Sequence, residues 1–498
     1  MINLLKHATL LLLPALVSLG DTQRGEIDYA PSEPPKKAQV SVPLTLNPQE
    51  VNVISGNLGD YQQDFRNAFM NHMCLWLDVK EPGPAHLSWE LNAPTAGKYQ
   101  VNAVVAGVGS RVSLSVNGTL QDTVVELTAE QHNGWSRVPL GEIALQAGIN
   151  RVHLNAVASE SFQVDALEIA QTAVLEAQYD DAMGMRYQPD WFKNAGYGLM
   201  FQWTNRATPP TGEIKPWEQK VNDFDLDGFI QNVEDSGAAY VLWSVTWGQH
   251  YISAPLESLD ALIAGRTTKR DLLGEMADAL HERGIKLVFY YHYGYDCNHS
   301  IDKEWMEACG GYKADKTELY DNFQAIVSEM GLRYGDKLHG WWFDGGQRFY
   351  NCHFDNSAGD KGPLSAPFKA LTQASRAGNP ERVVAYNSWI KPRLTEYQDY
   401  YGGEGGRGFS GLDAGIFPTG PKQGLQAHGC FILEKEWGHI KLDTPIPSPR
   451  FTSQEMTQMI KRALQRQFPL SINLEMYEDG SVSPESMSLL RELKAAVR

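Results

Sequence analysis

Basic charge is scarce in this chain. Lys and Arg number 43 against 60 Asp and Glu, a formal net charge of -17, so nothing in the overall charge attracts nucleic acid or an anionic membrane surface. Cysteine is scarce as well. The five residues Cys74, Cys297, Cys309, Cys352 and Cys430 are odd in number and show no C-x-x-C spacing, which indicates neither a disulfide framework nor a zinc site. Cys297 and Cys309 are left with two readings, a pair formed after export or buried free thiols. Long apolar runs are missing too. The one at Ala8 to Leu19 follows Lys6, is interrupted by Pro14, and falls short of the ~18 residues a membrane helix needs. With Ser18 and Gly20 just before Asp21, it reads as a cleaved signal peptide over 1–20, predicting a secreted or periplasmic protein.

What remains divides into three parts. Residues 21–46 are rich in Pro, Ser and charge without an apolar period, and read as a linker. Over 47–172 the runs Lys98 to Val105, Arg111 to Val116 and Arg151 to Val157 alternate apolar and polar residues between Gly, Asn and Pro turns such as Asn117-Gly118. That pattern predicts an all-β, jelly-roll-like sandwich. Over 173–498 strand-like and helix-like stretches alternate. Leu226, Phe229, Ile230 and Val233 form a helical stripe, as do Leu273, Met276, Ala277 and Leu280, and Leu319, Phe323, Ile326 and Met330. Gly237, Gly284 and Gly331 stand where helix caps are expected. Strands are predicted at Tyr197 to Trp203, Ala239 to Val245, Lys286 to His292, Gly340 to Asp344, Arg382 to Ser388, Tyr397 to Tyr401, Cys430 to Glu434 and Leu470 to Met476. Eight parallel strands alternating with helices predict an α/β fold, a (β/α)8 TIM barrel whose active site lies at the C-terminal strand ends.

Asp344 gives the sharpest chemical signal. It ends the apolar strand of Trp341-Trp-Phe-Asp-Gly-Gly346 just where glycines let the chain turn, so it points into the barrel mouth unless it caps the next helix or pairs with Arg348. Trp341 and Trp342 read first as core and wall packing. If Asp344 works as one of a catalytic pair of carboxylates, the second must sit across the mouth, and Asp399, Glu404, Glu434 and Glu436 follow later strands. Glu404 is preferred, because it ends a Gly-Gly loop where a proton donor can reach a leaving oxygen.

These stretches resemble the α-L-fucosidase family, glycoside hydrolase family 29. Tyr197-Gly-Leu-Met-Phe-Gln-Trp203 is similar to its first strand, Ser236 to Leu242 to its second helix-to-strand step, and Trp342-Phe-Asp-Gly345 to its nucleophile motif. Asp399-Tyr-Tyr-Gly-Gly-Glu404 keeps the Asp, Tyr and Glu of its acid/base stretch. Glu434 to Gly438 resembles its Trp-Gly segment, and Ser471-Ile-Asn-Leu474 with Asp479-Gly480 its last strand. The resemblance implies a retaining, exo-acting hydrolase of oligo- or polysaccharide, with Asp344 as nucleophile, Glu404 as acid/base, and no metal or organic cofactor.

The departures bear on specificity. Where the family's first strand ends His-Trp, this chain has Gln202-Trp203. Where its second carries Lys-His-His-Asp-Gly-Phe, this chain reads Val245-Thr-Trp-Gly-Gln-His250. Three sugar-binding histidines are missing, so the expected sugar is fucose or a relative such as galactose. The replacement pocket is expected to be lined by Gln202, Trp203, Trp247, Gln249, His250 and His292, with Trp342 and Trp437. Arg206, Arg348 and Arg407 sit in loops suited to a sulfated substrate. The alternative function is a non-catalytic carbohydrate-binding protein with a degenerate barrel, although such a protein need not keep both carboxylates. The sandwich resembles carbohydrate-binding modules of families 6 and 35 through Ala147 to Leu154 and Val164 to Ile169. Its tryptophans Trp76, Trp89 and Trp135 are expected to be buried, so that it braces the barrel.

Overall fold

The computed structural model describes residues 52–55, 60–61, 65–71, 74–93, 95–129, 134–293, 302–313, 317–344, 366–387, 393–404 and 415–498. The leader and linker readings, and Arg348 and Arg407, fall outside the described residues, as does the side chain of Trp76.

The N-terminal part is two antiparallel sheets packed face to face. Strands Gly83–Ala93 and Gly148–Ala158 pair along their whole length, and alternation sends Ala85, Leu87, Trp89 and Leu91 inward against Val152, Leu154 and Ala156. Trp89 and Trp135 are both buried, which removes them as exposed sugar platforms. The Asn117-Gly118 turn joins its strands through two residues of positive φ (49° and 82°), the turn whose twist matches a hairpin. The last strand, Gln163–Gln171, runs directly into the helix Thr172–Met185. Asp181 of that helix accepts from Lys369 Nζ at 2.8 Å and Tyr397 Oη at 2.7 Å, which ties the helix leaving the sandwich to the α/β part of the chain.

Among the described residues, the C-terminal part is built on seven parallel strands: Tyr197–Phe201, Tyr240–Thr246, Lys286–His292, Leu338–Asp344, Val383–Tyr386, Gly429–Ile432 and Leu470–Leu474. Neighbours run in chain order from Tyr197–Phe201 to Val383–Tyr386. On the other side, Leu470–Leu474 and then Gly429–Ile432 flank the first strand. The strand predicted at Tyr397 to Tyr401 is not a regular strand. Residues 399–404 instead run between the two edge strands: Asp399 N donates to Val384 O at 2.7 Å, and Cys430 N donates to Gly403 O at 2.8 Å.

Side chains along these strands alternate between two cores. Tyr197, Leu199, Phe201 and Trp203 pack with the helices, as do Trp341 and Phe343. Met200, Leu242, Val288, Tyr290, Trp342, Ala385, Tyr400 and Cys430 form a separate inner core. The strand ends therefore aim Gln202, His292, Asp344 and Asn387 to the inner side, two residues beyond Met200, Tyr290, Trp342 and Ala385.

The helices follow the apolar stripes: Leu226–Ser236, Leu272–Glu282 and Thr317–Tyr334. Gly237 caps its helix at φ 72°. Gly331 does not cap. It lies inside Thr317–Tyr334, where an added Cβ would come within 2.7 Å of Ala377 O and 2.8 Å of Arg382 Nη1, so this glycine answers to close packing rather than to a turn.

Candidate active site

Asp344 ends its strand partly exposed at the C-terminal edge of the sheet. Tyr290 Oη donates to its Oδ2 at 2.7 Å. Asn387 Nδ2 donates to its Oδ1 at 3.2 Å and also to Glu404 Oε2 at 3.0 Å. One amide nitrogen thus joins the two carboxylates, whose bonded oxygens lie no further apart than those two distances laid end to end. Beneath them Cys430 is fully buried, its thiol pushed well up by desolvation and then by Glu404 and Asp344. Tyr401 is likewise raised, by burial first and Glu404 second.

The backbone around Glu404 admits only glycine. At Gly403 φ is +72°, and a Cβ would sit 1.9 Å from His428 O. At Gly402 a Cβ would meet Asn387 Oδ1 at 2.7 Å and Trp342 Nε1 at 2.8 Å. The two glycines let this segment lie against its neighbours and deliver Glu404 to Asn387.

The other acids have different work. Asp399 is buried at the opposite end of the segment. It accepts from Tyr187 N at 2.7 Å, Arg376 Nη2 at 2.7 Å and Val384 N at 2.8 Å. Glu436 is partly exposed beside Lys441 at 3.4 Å. Glu434 is fully buried, accepting from Ser486 Oγ and from Glu475 N. Desolvation pushes its pKa up to about 8, but its partner Ser486 belongs to the helix Pro484–Val497, which packs in the outer core.

Glu434 carries a pH prediction. Its folded pKa lies above the ordinary 4.5, so the folded state holds a proton that the unfolded chain releases. This contribution to stability is complete below about pH 4.5 and is lost as pH rises through about 8. Glu434→Gln is expected to flatten the decline and to be more stable than wild type at pH 8 by roughly 2 kcal/mol or more. Denaturant unfolding at pH 5 and pH 8 checks it.

The remaining predicted residues separate into two groups. Gln202 is buried at the inner side with Oε1 unpartnered. Gly438 is pressed between Gln202 O and the Trp247 ring, 2.6 and 2.9 Å from where its Cβ would be, which sets Gln202, Trp247 and the segment carrying Trp437 side by side. Trp247 and Trp437 are half-buried against the inner core. Arg206 lies over the Trp247 ring at 5.2 Å, and Gln249 accepts from Asn205 at 2.7 Å. His292 is the register partner of Asp344.

The structure moves three residues away from the pocket. Trp203 lies in the outer core against Trp217, Phe224 and Trp243, because strand alternation turns it away from Gln202. His250 is fully buried and stacked on Trp305 at 3.8 Å. Desolvation, then His292 and Arg266, holds its pKa well below the ordinary value, so it is a neutral packing ring. Trp342 is buried beside Tyr290 at 5.1 Å and forms floor rather than wall. Trp203→Ala is expected to cost about 3–5 kcal/mol of stability with KM changed less than about twofold, as a denaturation curve beside a kinetic titration will report.

Two site residues escaped the sequence reading, Tyr290 and Asn387. Both sit at period-two positions inside predicted strands, one step before His292 and one beyond Ala385, and counting inward-facing positions from Met200 and Trp342 finds them. Among the described residues, no group of three or more His, Cys, Asp or Glu is placed to hold a metal; Cys430 is a buried free thiol, Cys309 is buried, and Cys297 falls outside the described residues. No described helix is long and apolar enough to cross a membrane.

Two carboxylates gathered at the C-terminal ends of a parallel α/β sheet are the apparatus of a glycoside hydrolase. The model of the α-L-fucosidase family matches residues 172–493, and the chain belongs to that family. Among solved structures, the α-L-fucosidase AlfC from Lactobacillus casei is 16% identical with a TM-score of 0.45, covering 61% of this chain and 96% of its own. The α-L-fucosidase isoenzyme 1 from Paenibacillus thiaminolyticus is 17% identical with a TM-score of 0.44, covering 64% and 75%. The endo-fucoidan hydrolase MfFcnA4 of glycoside hydrolase family 107 is 14% identical with a TM-score of 0.45, covering 61% and 53%. No curated protein matches in sequence.

Proposed function

We propose that the protein is an exported, retaining exo-glycosidase that releases α-L-fucose, or a related sugar such as galactose, from a glycan or polysaccharide. Asp344 attacks the anomeric carbon. Glu404 protonates the leaving oxygen and then activates the water that frees the sugar. The observation that carries this reading is the shared amide of Asn387, within 3.2 Å of one carboxylate and 3.0 Å of the other. That limit falls short of the roughly 6.5–9.5 Å an inverting enzyme leaves for its water, and suits the roughly 5–5.5 Å of a retaining one. Residues 399–404 are read as the eighth strand of a closed (β/α)8 barrel, which their bonds to both edge strands support. Gln202, Trp247, Gln249, His292 and Trp437 line the sugar pocket, and export rests on the apolar leader.

A panel of aryl α-glycosides, including fucosides and galactosides of both hands, tests the reading. Release of one sugar by the wild type, lost in Asp344→Ala and Glu404→Ala, supports it. Turnover that survives in Asp344→Ala overturns it.

A further inference from the structure

We propose that Asn387 is a positioning residue that follows negative charge between the two carboxylates during turnover. This rests on the reading of Asp344 as nucleophile and Glu404 as acid/base. The amide orientation follows from Asp344, since reversing it would set a carbonyl oxygen against the carboxylate of the nucleophile. Both of its N–H groups are engaged, one on Asp344 Oδ1 at 3.2 Å and one on Glu404 Oε2 at 3.0 Å. The backbone anchors it to the nucleophile's own strand, with Asn387 N donating to Phe343 O at 2.8 Å. Gly402 keeps the space beside its oxygen empty, where a Cβ would lie 2.7 Å from Oδ1.

The chemistry moves charge between these two anchors. In the first step a lone pair of Asp344 bonds to the anomeric carbon as the bond to the leaving oxygen breaks, and that oxygen takes the proton of Glu404. Asp344 loses its negative charge and Glu404 acquires one. In the second step water gives its proton to Glu404, its oxygen bonds to the anomeric carbon, and the electron pair of the breaking ester returns to Asp344. A donor fixed on both groups serves whichever is anionic without reorganising, the condition under which hydrogen bonds lower a barrier most. Tyr290, bonded to Asp344 at 2.7 Å, serves only one of them.

The test compares wild type, Asn387→Ala and the isosteric Asn387→Asp, as full-length protein, on aryl glycosides of graded leaving-group ability, with thermal melts to check folding. For Asn387→Ala, kcat/KM is expected to fall roughly 10- to 100-fold on phenol-like leaving groups. The deficit is expected to shrink several-fold on dinitrophenyl glycosides, which depart without the proton of Glu404. Both limbs of the pH profile are expected to move to higher pH, because each carboxylate anion loses a donor. Asn387→Asp, which preserves the packing, is expected to lose at least as much. A uniform deficit with unmoved limbs, or wild-type rates, would overturn the proposal. Asp344→Ala on the same substrates separates the two levels: if it stays active, the reading of the site fails, and if it is dead while Asn387→Ala shows a uniform deficit or wild-type rates, only the role of Asn387 fails.

Discussion

Asp344→Asn is expected to abolish turnover, with kcat lower by on the order of 10⁴-fold or more, while the fold stays intact. The substitution keeps the shape of the side chain and still accepts from Tyr290, whose hydroxyl lies 2.7 Å from Oδ2. It removes the anion that must bond to the anomeric carbon. It also places a second amide opposite the Nδ2 of Asn387, now 3.2 Å from Oδ1, so the link to Glu404 loses its charged partner. Because Asp344 is only partly buried at a strand end, stability is expected to change by less than about 1 kcal/mol. Azide added to Asp344→Ala should restore slow release of a glycosyl azide of inverted configuration. Activity near the wild-type level would mean that another group is the nucleophile.

Glu404→Ala is expected to lower kcat/KM by about 10²–10⁴-fold on substrates with poor leaving groups, and far less on dinitrophenyl glycosides. A departing dinitrophenolate needs no proton, so the missing acid matters only to the second step, where the base that activates water is also gone. An activated substrate should therefore accumulate as covalent intermediate, visible as a burst of phenolate followed by a slow steady state. Azide should relieve that steady state and yield a glycosyl azide of retained configuration, the opposite of the outcome at Asp344. If the deficit is the same for every leaving group, Glu404 is not the proton donor, and the acid must come from the segments that flank the mouth.

The sequence displayed the elements more readily than the site. Apolar runs such as Lys286 to His292 and Gly340 to Asp344 were legible because a strand buried on both faces leaves few alternatives. Asp344 stood out as the acid ending such a run, and Glu404 as the acid following two glycines. The facing of each side chain was harder, because it depends on where a strand begins and on its register. Trp203 looked like a pocket residue until alternation from Met200 turned it outward. Asn387, inside the run Arg382 to Ser388, carried no signal of its own, because its role depends on the fold bringing Glu404 to it. The segment 399–404 has glycines where a strand would have β-branched residues, so its extended path follows from bonds to its neighbours rather than from propensity.

The central claim is that sugar transfer passes through a covalent bond to Asp344, and trapping that bond tests it most directly. Wild-type protein is incubated with the 2-deoxy-2-fluoro glycosyl fluoride of the sugar that it releases, then digested and mapped by mass spectrometry. The expected result is one glycosyl adduct per chain, on Asp344, absent from Asp344→Asn. An adduct on another residue, or turnover that yields the inverted sugar with no adduct at all, would contradict the account.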